Sequence, residues 1–188
     1  MFRTLALAMI TAFPLSLEAS ATEPACEFDK QAMLNLDFDS FDQTFGSGWR
    51  VVADKEGCSL VAADLIRNYI ELHQPEQKII VFHEAQMRAK GGQTEQAISL
   101  FKDARYDDGR TPAFGWNEYV DATIAFLEQD RESLLAARES LLSIPKPSSF
   151  RAVDRNGDPV EVEWPPNLSV VNSFVACFEQ PYEVAYGG

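Results

Sequence analysis

His73 and His83 are the only histidines in the chain, and His83-Glu84 opens the pattern by which a helix offers two imidazoles to zinc. The second histidine, due four residues on, is Met87, so a zinc-protease helix is excluded. A separate zinc site needs about four N or S ligands at short spacings. Cys26, Cys58 and Cys177 form no Cys-x-x-Cys or Cys-x-x-His. Asp154, Asn156 and Asp158 imitate the first ligands of a calcium loop, but Gly157 stands at the fourth position rather than the sixth and no Glu fills the twelfth. Asp107-Asp108 has the composition of a general acid and base, yet with Gly109 behind it the pair reads as a loop. No Gly-x-Ser-x-Gly, Walker loop or dinucleotide fingerprint is present. The expectation is a chain with no catalytic residue, no cofactor and no metal ligand. His83 is read as a packing histidine with its ring nitrogens satisfied by neighbours. Trp116, on an apolar stripe, is expected in the core, while Trp164 beside Pro165-Pro166 is a groove candidate.

The cysteines take their meaning from the N-terminus. Arg3 precedes an apolar run over residues 4–17, and Ala19-Ser20-Ala21 supplies the small residues of an export-signal cleavage site. The cut is expected after Ala21, leaving 167 residues that start at Thr22 and keep the net charge of −13. Glu-Pro-Ala before Cys26 lacks the Leu of a lipoprotein signal. An oxidising compartment permits disulfides, so one intramolecular bond involving Cys58 is expected. If a short helix after Cys26 runs antiparallel to residues 40–56, Cys26 starts where Cys58 lies, which favours that pairing.

At 188 residues the chain suits one domain, here 22–188 after the leader. Its 46% hydrophobic and 24% charged residues exclude a disordered chain, and no late apolar stretch approaches a bilayer span. With 16 basic against 29 acidic residues, it is unsuited to nucleic acid or anionic membranes, which are bound through Lys and Arg.

Helical spacing dominates the mature region. Ser40 and Gln43 have capping-box spacing, opening a helix that Gly46 and Gly48 threaten to break. Leu60, Val61, Leu65, Ile66, Tyr69 and Leu72 line one face of 58–73. Stripes continue over 77–90, 93–105, 113–129 and 131–143, with Thr111-Pro112 as an N-terminal signal and Pro145-Lys146-Pro147 as a stop. The helices pair as 40–56 with 58–73, 77–90 with 93–105, and 113–129 with 131–143. Residues 150–164 read as a β-hairpin turning at Asn156-Gly157 in type I′ geometry, with Pro159 on an edge strand. Asn167 is expected to cap the last helix, which Pro181 follows. Gly92, Ala97, Phe101 and Ala104 match the second half of a tetratricopeptide unit, while Glu84 and Arg88 occupy positions where that unit carries large apolar residues. The expected fold is mainly all-α: tetratricopeptide-like antiparallel pairs in a short solenoid, a small C-terminal hairpin and a capping helix.

Phe41-Asp-Gln-Thr44, Gly48-Trp-Arg50, Gly57-Cys58 with Ala62-Ala63, Phe82-His-Glu-Ala-Gln86, residues 116–127 and Cys177-Phe-Glu-Gln-Pro-Tyr182 together resemble a group of uncharacterised bacterial exported proteins with a tetratricopeptide-like core. The resemblance, over most of 40–186, implies that fold and a bacterial source, hence a periplasmic or secreted product, and transfers no catalytic residue. It also keeps a Cys58–Cys177 bond open, since both cysteines lie in the matching segments. Two functions fit. One is a helical scaffold binding a protein or peptide, with His83, Gln86, Trp116, Asn117 and Tyr119 as its groove; the other is an acidic inhibitor or immunity-type protein blocking a basic enzyme. Under both readings the charge points to a partner with a basic contact surface.

Overall fold

The structure, a computed structural model, describes residues 26–107, 114–154 and 156–187. The leader over 1–21 with its cleavage site, the Thr111-Pro112 signal, and Asp108 and Gly109 lie outside them. Asp107 is exposed and approaches Arg105 at 3.6 Å.

Asp29 caps α1 (Lys30–Leu34) by accepting from the Ala32 N–H at 2.9 Å. Asp37 then accepts from the Ser40 N–H at 2.9 Å and its hydroxyl at 3.0 Å, at the start of a π-helical turn over Asp39–Gln43. The expected capping box is thus not formed: Ser40 lies inside the turn, and Gln43 donates to Asp42. The expected 40–56 helix is broken, with only α2 (Trp49–Ala53) after the turn. Gly48 makes the break, because its φ of +56° is left-handed and a Cβ there would collide with the Phe41 carbonyl.

The next five stripes fold as helices: α3 (Ser59–His73), α4 (Lys78–Lys90), α5 (Thr94–Asp103), α6 (Trp116–Leu127) and α7 (Arg131–Leu142). Asp130 caps α7 through the Ser133 N–H at 3.0 Å. Helices α4 and α5 pack as one pair and α6 and α7 as another, while α3 lies against α2 and α4. Ala97, Phe101 and Ala104 are fully buried, and Phe101 meets Phe82 of α4 edge-on at 4.8 Å, as small and aromatic positions between close helices should. Glu84 and Arg88 stay buried in place of apolar residues because α3 supplies Arg67 and Asp64 to pair with them.

The hairpin is shorter and its turn wider than expected. Strands β1 (Ala152–Val153) and β2 (Pro159–Val160) are antiparallel, with Val153 opposite Pro159. The Asp154 N–H then donates to the Asp158 carbonyl at 2.8 Å, a register that a two-residue turn at Asn156-Gly157 cannot give, so the type I′ turn does not form. Asp154 holds the loop by accepting from the N–H groups of Asn156 (2.8 Å) and Asp158 (2.9 Å). Trp164 is anchored by its indole N–H on the Ile144 carbonyl at 2.9 Å and by Phe150, 4.7 Å between rings.

Helix α8 (Leu168–Ala176) packs on α6 and α7, with Phe174 stacked on Phe126 at 4.7 Å. Asn167 does not cap it with its side chain; its φ of +66° makes it a left-handed turn residue. A further helix, α9 (Tyr182–Gly187), follows Pro181 and returns to α4. No helix among the described residues is long and apolar enough to cross a membrane.

A disulfide joins Cys26 to Cys58, pinning the segment before α1 to the start of α3, and Cys177 is free and half-buried. The bond spans 32 residues. Loop-closure entropy over such a span is worth about 2–4 kcal/mol. Replacing both cysteines by Ser is expected to lower unfolding free energy by that amount in urea melts; an unchanged midpoint would contradict the assignment.

Candidate functional site

Asp42 is a carboxylate with no exposed surface, set on the π-helical turn and facing α2 and α4. A charge removed from water needs partners in kind. It has them: Oδ1 accepts from the Trp49 indole N–H at 2.9 Å and lies 2.8 Å from His83 Nδ1, while Oδ2 accepts from Gln43 at 2.5 Å. Burial pushes the Asp42 pKa up, but these donors outweigh it and hold the carboxyl below its ordinary 3.8. Asp42 is therefore ionised at neutral pH, so Nδ1 of His83 carries the proton it donates. His83 also lines a cleft.

Arg50, one residue past Trp49, donates to the Asp42 backbone carbonyl and lays its guanidinium 4.2 Å above the Trp49 ring. Phe45, 77% exposed, flanks the same guanidinium at 5.6 Å. Together with Met87 and Lys90 of α4 and Tyr186 of α9, these residues enclose a cleft of about 380 Å³. Asp54 stands exposed at its edge. Among the described residues the lining holds no Ser, Thr or Cys. It can hold an oxyanion and cover an apolar group.

Of the groove candidates, His83 and Gln86 line this cleft and three others do not. Trp116 is 6% exposed and donates its indole N–H to the Ala104 carbonyl at 2.9 Å. Asn117 clamps the loop before α6, accepting from the Tyr106 N–H at 3.0 Å and donating to its carbonyl at 2.9 Å. Tyr119 is buried, and that burial, with Tyr186 and Tyr182 nearby, pushes its phenol well above the usual 10. Helix α9 packs on α4 and brings Tyr182 and Tyr186 near Tyr119. Tyr182 and Tyr186 stack at 5.6 Å, and the buried Tyr182 hydroxyl faces Gln86 without a hydrogen bond of normal geometry. Trp164 lies at the hairpin base, away from the cleft. His73 bonds the Leu34 carbonyl at 2.8 Å and stacks near Tyr69, a local role.

Asp42, Phe45, Arg50, Lys90 and Tyr186 were not legible as site residues. Three segments far apart in sequence, Phe41–Thr44, Gly48–Arg50 and Phe82–Gln86, converge here through the bonds to Asp42. The described residues hold no group of three or more His, Cys, Asp or Glu placed to bind a metal. No protein family, curated protein or solved structure matches the chain.

Proposed function

We propose that the protein is an exported bacterial binding protein, released to the periplasm after cleavage behind Ala21, which holds a segment of a protein or peptide and performs no catalysis. The observation that carries this reading is the cleft itself. Its floor is fixed by the Asp42 hydrogen bonds, its rim offers the exposed ring of Phe45, and Arg50 and Lys90 both border it. The Cys26–Cys58 bond accords with an oxidising compartment.

The second reading, an acidic inhibitor of a basic enzyme, rests on the net charge of −13. That charge lies outside the cleft and speeds encounter with a basic surface over about a Debye length, near 8 Å at physiological salt. Immobilised protein is expected to retain a discrete partner from envelope extract that elutes as salt rises to a few hundred millimolar. The Phe45→Ala protein, which loses the exposed ring without adding a charge beside Arg50, is expected to retain far less. Equal retention by both would place the contact elsewhere and favour the inhibitor reading.

A further inference from the structure

We propose that the cleft is a carboxylate site: Arg50 and Lys90 receive the carboxylate of an organic acid whose apolar body packs on Phe45 and Met87, with His83 at the floor. This rests on the cleft being the binding site.

The cleft gathers two cations. Arg67, Arg88, Lys102, Arg105 and Arg138 each sit against a carboxylate, whereas Arg50 and Lys90, like several other cations of the chain, have none within ion-pair distance among the described residues, and both border the same space. Tyr186 links them: the Lys90 ammonium lies 5.6 Å from its ring centre, and Tyr186 is near enough to Arg50 to act on its charge.

Arg50 is held ready for an anion. Its contacts with the Asp42 carbonyl, Trp49 and Phe45 fix the guanidinium plane while using one hydrogen bond among the described residues, which leaves other N–H groups of the fork to meet a carboxylate. Burial lowers its pKa, outweighing the nearby Asp42, Tyr186 and Asp54, and a bound anion would offset that cost. The two cations are balanced in part by Asp54 at the edge and Asp42 behind His83, so a single negative charge fits better than a double one. A volume of about 380 Å³ suits a small organic acid or the last residues of a peptide.

Calorimetric titration of the disulfide-bonded full chain tests this with 3-phenylpropionate, its amide, phenyl phosphate, and a hexapeptide ending in Phe with a free or amidated terminus. The acid is expected to bind about tenfold more tightly than its amide, and Lys90→Met to remove about that factor for the acid alone. Lys90 makes no bond to the Asp42 cluster, so this variant keeps the floor; Arg50→Lys, checked by its melting curve, should weaken the acid again. Tighter binding of the free-terminus peptide identifies a peptide-borne carboxylate, tighter binding of the free acid a small molecule, and both support the site. Equal binding of acid and amide, indifference to Lys90→Met, no binding of any carboxylate, or preference for phenyl phosphate overturns it. If Phe45-dependent partner capture persists when every acid fails, the carboxylate site falls and the binding reading stands.

Discussion

Glu84→Ala is expected to lower the unfolding free energy by about 3–5 kcal/mol, the usual cost of breaking a buried ion pair from one side. In a chain of this size that lowers the melting temperature by roughly 6–20 °C. Glu84 is 1% exposed and accepts a forked contact from Arg67 at 3.0–3.1 Å and the Arg88 Nε–H at 2.8 Å. Arg88 continues the network to Asp64 at 3.1 Å and Gln93 at 2.8 Å, tying α3, α4 and the turn before α5 together. Removing Glu84 leaves Arg88, whose side chain is 7% exposed, with the exposed Asp64 as its one carboxylate partner. Arg67 is 40% exposed, so water screens its share and Arg67→Ala should cost much less. Replacing Glu84, Arg67 and Arg88 together by apolar residues of similar volume is expected to cost less than Glu84→Ala, because no buried charge is left unpaired. Urea melts of the single and triple variants check both; a harmless Glu84→Ala would show that the network contributes nothing.

Asp42→Ala should cost about 3–5 kcal/mol as well, since it leaves the Trp49 indole N–H and His83 Nδ1 without their acceptor. Asp42→Asn keeps the shape but not the charge and is the better probe of pH. The Asp42 pKa is lowered in the folded state, so its contribution is complete above 3.8, the ordinary value, and is lost as pH falls through the folded value. The gap in stability between wild type and Asp42→Asn is therefore expected to close below about pH 4. Asp37, Asp130 and Asp154 are also lowered, by hydrogen bonds at their turns and caps, and acid weakens both proteins alike through them. A gap that persists unchanged well below pH 4 would contradict the lowered Asp42.

Local chemistry explains what the sequence made legible. Helices α3 to α7 carry apolar stripes that a 3.6-residue period must bury, and these fold close to the expected bounds. The π-helical turn was hidden because Ser40-x-x-Gln43 imitates a capping box, whereas Asp37, three residues earlier, takes the Ser40 donors. Helix α9 was hidden because Pro181 reads as a stop; here its carbonyl instead accepts from the Val184 and Ala185 N–H groups and starts a helix. Glu84 and Arg88 looked like departures from the repeat because their partners come from another helix. The cleft was illegible for the same reason: Asp42 and His83 are 41 residues apart, and only folding gives the imidazole its carboxylate.

The central claim is that this cleft is the surface through which the protein acts. A photo-crosslinking amino acid placed at Phe45 in the exported protein, with Leu135 on α7 as the control, tests it most directly. Both positions are exposed, 77% and 41%, and neither belongs to the buried networks. The prediction is a discrete crosslinked partner from position 45 that disappears in the Lys90→Met background, and none from position 135. A partner crosslinked from 135 and not from 45 would contradict it.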